Sequence, residues 1–306
     1  RLAGTMKTVN ELPRLIECLK RWKTRPARVE FDREYGEPLK PWLAPMLEDF
    51  SGRFDAGLYD ALEDLDWKSY REETLALDPV REEKRLIAHM ASVEKLFGVG
   101  LEGEAVLFGA FTLMDGYARF DRGKHRVFLG VDESHGRGCY LDVLLTHELT
   151  HVVRESRPET WAGWGLELAM THDQFTESQP VIEHVFSEGL SCAVSEILNP
   201  GEDPWGYAYQ TEDSLAHVFE HAPGVDRVIH EELRRGEQGD YGTLYNVSRY
   251  PRGSPGYTHY VWAWQWVKSL AHEWGNGDPR AGAKKLVTTC SKDLLESALA
   301  YRLTRR

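Results

Sequence analysis

The segment His147-Glu148-Leu149-Thr150-His151 constrains this chain more than any other, because its chemistry works only on a helix. Side chains four residues apart share a helical face, so the two imidazoles can reach one ion, and Glu148 between them points beside it. Two such histidines with an intervening carboxylate are the arrangement by which a helix holds zinc next to a general base. The flanks agree with a helix, since Leu141, Leu145, Leu149 and Val152 repeat at helical spacing. They would bury one stripe and leave the His147/His151 face open to a cleft.

Two imidazoles do not complete a zinc site; a third protein ligand is needed, with the fourth position open to water. A third histidine of the metzincin kind would require Gly and His three and six positions after His151, where this chain has Arg154 and Arg157. A carboxylate is therefore expected. Glu188 is the choice, on a helix running from about Pro180 to Leu198, with Pro180 suited to the first turn and Asn199-Pro200 to the stop. Gly189, Ser191, Cys192 and Ala193 keep that helix slim, so that it can pack closely against the histidine helix. His184, one turn before Glu188, is an alternative ligand or a group that orients a neighbour, and Glu183 and Glu196 are weaker alternatives. Asp142 is placed to accept a hydrogen bond from an imidazole or to favour its helix N-terminus.

The remaining sequence predicts a mainly helical α+β fold with a small antiparallel or mixed sheet before the histidine helix. Residues from about 8 to 97 read as helical, from repeats such as Leu12, Leu15, Ile16 and Leu19, and form an N-terminal region, 1–97. Pro38 to Pro45 reads as a bend or linker. The pattern changes near Gly98, which opens a second region, 98–306. Ala105 to Leu113 and Ala118 to Val131 look like antiparallel strands, with Asp121-Arg122-Gly123-Lys124 as a turn. Gly136 to Gly138 then breaks the chain before a helix from about Cys139 to Glu155. Further helices are expected near Glu212–Phe219, Val225–Arg235, Thr258–Trp274 and Leu294–Leu303, with Gly236 to Gly256 an irregular surface loop. The aromatic stripe of Tyr260, Trp262, Trp264 and Trp266 reads as core.

The net charge of −12, without a compensating Lys/Arg cluster, argues against a nucleic-acid partner. No apolar run approaches the roughly 20 residues that span a bilayer, so no membrane partner is expected. Cys18, Cys139, Cys192 and Cys290 form no CxxC pair and fit reduced thiols in a cytoplasm.

The run His147 to Arg154, followed by Ser187-Glu188-Gly189-Leu190 and a later Gly256-Tyr257, resembles the predicted zinc-dependent proteases of the DUF2268 (YjaZ-like) family. These are similar to gluzincins, whose two histidines and a glutamate hold zinc. The similarity covers about Ala105 to Leu270. It implies a gluzincin-like fold and a peptidase acting on peptide or protein substrates, with His147, His151 and Glu188 on zinc and Glu148 as base. The chain departs from the pattern at His259, where the family usually has a small residue, often Gly, after its Gly-Tyr pair. Tyr257 and His259 are the candidates for stabilising a tetrahedral oxyanion, weighed against packing in the aromatic cluster. Two other readings stand beside the peptidase: a non-catalytic, zinc-containing regulatory or binding protein, and a zinc hydrolase of a non-peptide amide. A structural site needs four ligands and no base, so Glu148 speaks against the first.

Overall fold

The computed structural model describes residues 6–50, 57–134 and 140–304. The expected break at Gly136 to Gly138 and the expected first helical residue, Cys139, lie outside the described residues. Among the described residues, a four-stranded mixed sheet and a stack of helices surround an extended apolar core, with a smaller cluster of Phe120, Trp161, Met170 and Phe175 beside it. The strands are β1 (Lys7–Asn10), β2 (Glu104–Phe108), β3 (Gly116–Asp121) and β4 (Lys124–Gly130), in the order β1-β2-β4-β3. The mainly helical α+β expectation is met.

β3 and β4 form the expected hairpin, pairing from Gly116 with Leu129 to Asp121 with Lys124. Arg122 and Gly123 both take positive φ, 51° and 74°, which is the two-residue turn that matches the twist of the flanking strands. β2 departs from the antiparallel expectation: it pairs parallel with β4 and with β1. The cause is the long return from β2 to β4, which passes through the hairpin's outer strand and brings the chain back in the same direction. β1 itself lies in the stretch read as helical; four residues are too few to show a period of two.

The Pro38 to Pro45 stretch is not a linker but part of a helix, Glu37–Asp49, with Pro41 and Pro45 inside it. Pro38 follows a π turn, Asp32–Gly36, that joins this helix to the preceding turn Arg28–Phe31. Burial of Leu39, Leu43 and Met46 then outweighs the ladder bonds that the two inner prolines cannot donate. By contrast, Pro79–Phe97 has the ends its sequence implies. Asp78 accepts from the backbone N–H of Val80 and Arg81, Pro79 starts the helix, and Gly98 closes it in a left-handed conformation at φ 72°.

Three helices carry the centre of the molecule: the histidine helix (Tyr140–Glu155), the glutamate helix (Val181–Leu198) and the tryptophan helix (Thr258–Trp274). The histidine helix packs on β3 and β4 on one side, on the glutamate helix on another and on Pro79–Phe97 on a third. It is therefore buried along almost its whole length instead of presenting one open face. The glutamate helix is sandwiched between it and the tryptophan helix. The indole N–H groups of Trp262, Trp264 and Trp266 donate to Asp226, Glu196 and Ser297, so the aromatic stripe is core with satisfied polar edges. Gly236 to Gly256 is less superficial than expected: it folds into short 3₁₀ turns that bury Leu244 and Tyr250. Leu294–Leu303 shortens to a helix at Leu295–Ala300 followed by extended chain, because the Leu303 N–H is held by Asp226. Among the described residues, no helix is long and apolar enough to cross a membrane.

Candidate metal centre

His147 Nε2 lies 3.1 Å from His151 Nε2 and 3.1 Å from Glu188 Oε2, and His151 Nε2 lies 3.5 Å from the same oxygen. All three residues are buried. Ligands at about 2.0–2.1 Å from a tetrahedral ion are about 3.3–3.4 Å from one another, so this triangle is one face of such a tetrahedron. The ring orientations agree. Ser187 Oγ sits 2.9 Å from His151 Nδ1, and Cys192 Sγ sits 3.8 Å from His147 Nδ1, so each ring can keep its proton on Nδ1 and turn its Nε2 lone pair inward. Two lone pairs and a carboxylate oxygen facing one another in a buried space repel, and a cation between them removes the repulsion. The donor set thus fits a metal ion.

The local sequence explains how two helices meet closely enough. Ser187, Ser191, Cys192 and Ser195 form the small-residue face toward the histidine helix, and Ser195 Oγ donates to the Val143 carbonyl there. Gly189 does not share that face, contrary to its expected role: successive residues are rotated by about 100°. It is pressed against the tryptophan helix, where an added Cβ would lie 2.5 Å from the Ala263 carbonyl oxygen.

The electrostatics without a cation are those of a shared proton. Burial opposes charge on His151, but Glu188, Glu155 and Glu148 outweigh it and push the imidazole up to about 10. Burial would likewise raise Glu188, yet the His151 charge and hydrogen bonds from both imidazoles hold its carboxyl well below the usual range. For Glu148, burial dominates, with Glu188 and Glu155 adding to it against His151, and its carboxyl is pushed up to about 8. Glu155 also receives His125 Nε2 at 3.0 Å and lies 3.7 Å from His151 Nδ1.

Glu148 opens onto a cleft of about 290 Å³, bounded by Phe50, residues 112–116, Leu144, Tyr209, Tyr257 and Tyr260. Gly116, at the start of β3, is pressed against it: a Cβ there would lie 2.7 Å from Glu148 Oε1 and 2.7 Å from Leu144 Cδ1. Cavities of about 570 and 630 Å³ exist elsewhere, lined in one case by the β3–β4 hairpin and in the other by Trp205 and Trp264, but neither contains His147, Glu148 or Glu188.

The other sequence candidates have different surroundings. Glu183 forms a fully buried ion pair with Arg154, and Glu196 accepts from Trp264 and Lys268. Asp142 accepts 2.6 Å bonds from Arg85 and from the imidazole of His89, on Pro79–Phe97, rather than from a histidine of the metal group. His184 stacks on Tyr241 and meets Tyr245 and His259. His259 is fully buried, with Nε2 3.4 Å from His184 Nε2, while Tyr257 is about half exposed at the cleft mouth. Sequence reasoning missed Ser187, Cys192, Glu155, Tyr209 and Tyr260. The i+4 relations of Glu155 to His151 and of Cys192 to Glu188 were a usable signal. Tyr260, whose ring stacks on His147 at 6.1 Å and 10°, and Tyr209 had none.

Comparison of the chain with protein-family models, with curated proteins and with solved structures returns no match. What stands is a buried His147/His151/Glu188 group of the kind that a His-Glu-x-x-His helix and a later glutamate make for a metal.

Proposed function

We propose that the protein is a zinc-dependent peptidase, with His147, His151 and Glu188 as ligands and Glu148 as general base. The observation that carries this reading is the 3.1, 3.1 and 3.5 Å triangle of ligand atoms with the buried Glu148 carboxylate beside it on a cleft. Zinc, when bound, polarises a scissile carbonyl and brings the pKa of water toward 7. Glu148 takes the proton of the attacking water on a carboxylate oxygen and later delivers it to the leaving amine. Ser187 and Glu155 orient the His151 ring, and Cys192 and the Tyr260 ring confine that of His147. An extended substrate would lie along β3, which among the described residues pairs on one side only, with β4. The acidic net charge suits a polypeptide substrate rather than a nucleic acid.

The test is zinc content and hydrolysis of a broad peptide mixture by the parent, Glu148→Gln and Glu188→Ala. Glu148→Gln should keep its zinc and lose turnover by at least about 100-fold. Glu188→Ala should lose zinc affinity by a comparable factor. A fully zinc-loaded parent that cleaves no peptide, or equal turnover in all three proteins, refutes the reading.

A further inference from the structure

Three side chains from distant parts of the sequence meet beside the glutamate helix. His184 stands one turn before Glu188, His259 lies in the first turn of the tryptophan helix, and Tyr245 ends the 3₁₀ turn Tyr241–Tyr245. His184 Nε2 is 3.4 Å from His259 Nε2 and 3.3 Å from the Tyr245 hydroxyl. Both imidazoles are buried, which disfavours their charged forms, so the two facing nitrogens hold one proton between them as a neutral pair. The same Tyr245 hydroxyl is 3.2 Å from that of Tyr260, and the Tyr260 ring lies nearly parallel to His147, at 10° and 6.1 Å. The line of polar contacts from His259 through His184 and Tyr245 thus ends on the face of an imidazole of the metal group.

The two imidazoles of that group are held unequally. His151 Nδ1 has a hydroxyl partner in Ser187 at 2.9 Å, whereas His147 Nδ1 has the Cys192 sulfur at 3.8 Å, a weak acceptor. The direction of His147 Nε2 therefore depends more on what packs against its ring. Among the described residues, the Tyr260 hydroxyl has Tyr245 as its one hydrogen-bond partner. The turn that carries Tyr245 is itself fixed from several sides. Tyr241 stacks on His184 at 4.5 Å and donates to the Thr176 carbonyl, and the Tyr250 hydroxyl donates to the Leu244 carbonyl. Arg249 donates to Thr243 Oγ1 at 2.8 Å and to the buried carboxylate of Glu232.

We infer that Tyr245 is a positioning residue for the metal group, its hydroxyl holding the Tyr260 ring against His147 and so fixing the direction of His147 Nε2. The inference rests on the metal-binding part of the reading above and is independent of the peptidase part.

The substitution Tyr245→Phe removes the hydroxyl and keeps the ring that packs edge-on against His259 at 4.6 Å. Transfer of zinc from the loaded chain to a chelator should be about tenfold faster than from the parent, as when other groups that orient metal-bound imidazoles are lost. The visible bands of the cobalt-loaded chain, which report ligand geometry, should shift. The thermal midpoint of the metal-free chain should stay within about 4 °C of the parent's, the effect of one lost hydrogen bond. Tyr260→Phe breaks the same contact from its other end, so the double variant should release zinc no faster than the faster single variant. Parental zinc release with an unshifted cobalt spectrum in Tyr245→Phe overturns the assignment, and so does an additive acceleration in the double variant. A metal-free midpoint lowered by more than about 10 °C would make Tyr245 a structural residue and also overturn it. A parent that takes up neither zinc nor cobalt refutes the metal-binding reading itself, and this assignment falls with it.

Discussion

Replacing Glu183 by Gln should destabilise the protein severely while leaving its metal stoichiometry intact. Arg154 is fully buried, and Glu183 meets it with two bonds, Nε to Oε1 at 3.0 Å and Nη2 to Oε2 at 2.7 Å. The remaining nitrogen, Nη1, donates to the carbonyls of Leu286, Val287 and Thr289 at 3.3, 3.0 and 2.7 Å. One side chain thus ties the end of the histidine helix to the start of the glutamate helix and to the segment after residue 285. Gln presents an NH₂ where an oxygen stood, setting donor against donor and leaving a guanidinium charge in the core without its counter-ion. Breaking a buried pair in this way costs about 3–5 kcal/mol. At about 2 °C per kcal/mol for a chain of this size, the thermal midpoint should fall by roughly 6–10 °C. Urea unfolding in the presence of a chelator isolates the effect from stabilisation by bound metal. Zinc uptake should still reach the parent's stoichiometry, since Glu183 is paired with Arg154 and stands outside the His147/His151/Glu188 group. A loss below about 1 kcal/mol would refute the reasoning, as would the disappearance of zinc binding in a protein that remains folded.

Gly116→Ala introduces a methyl at 2.7 Å from Glu148 Oε1 and from Leu144 Cδ1, so on the peptidase reading the carboxylate proposed as base must move. Peptide hydrolysis should drop by about 10²-fold with zinc retained, because displacements near 1 Å are enough for such losses; turnover within threefold of the parent would contradict this. Acid should weaken the link between Pro79–Phe97 and the histidine helix. Burial would raise Asp142, but the bonds and charges of Arg85 and His89 hold its folded-state pKa below the ordinary value. That stabilisation is complete above the unfolded value near pH 4 and disappears as pH falls through the folded one. Asp142→Asn should therefore unfold more easily than the parent by about 1–2 kcal/mol at pH 7, with the difference shrinking below about pH 4. A constant difference across that range would count against it.

The parts legible in the sequence are those with local causes. The two imidazoles four residues apart required a helix, and Glu188, on a helix of small residues, reached them. Arg122-Gly123 dictated a tight hairpin, and Asp78, Pro79 and Gly98 marked both ends of their helix. The remainder depends on partners distant in the chain. Whether β2 runs parallel or antiparallel is settled by which strand lies beside it, and four residues of β1 have no pattern of their own. Pro41 and Pro45 stay helical because of what buries Leu39 and Leu43, a tertiary effect that overrides propensity. Tyr209 and Tyr260 were illegible because their approach to His147 is set by the packing of segments distant in the chain.

Gly189 links the shape of the interior to the spacing of the His147/His151/Glu188 group. It has no chemistry of its own and turns away from the His147/His151/Glu188 group, yet it determines how far the tryptophan helix stands from the glutamate helix. Any larger side chain must thrust against a main-chain carbonyl, which cannot swing aside as a flexible side chain would. The displaced coil would carry its neighbour, the Glu188 carboxylate, with it. The geometry of the His147/His151/Glu188 group is consequently adjustable from behind, through helix spacing, with every one of its facing atoms left unchanged.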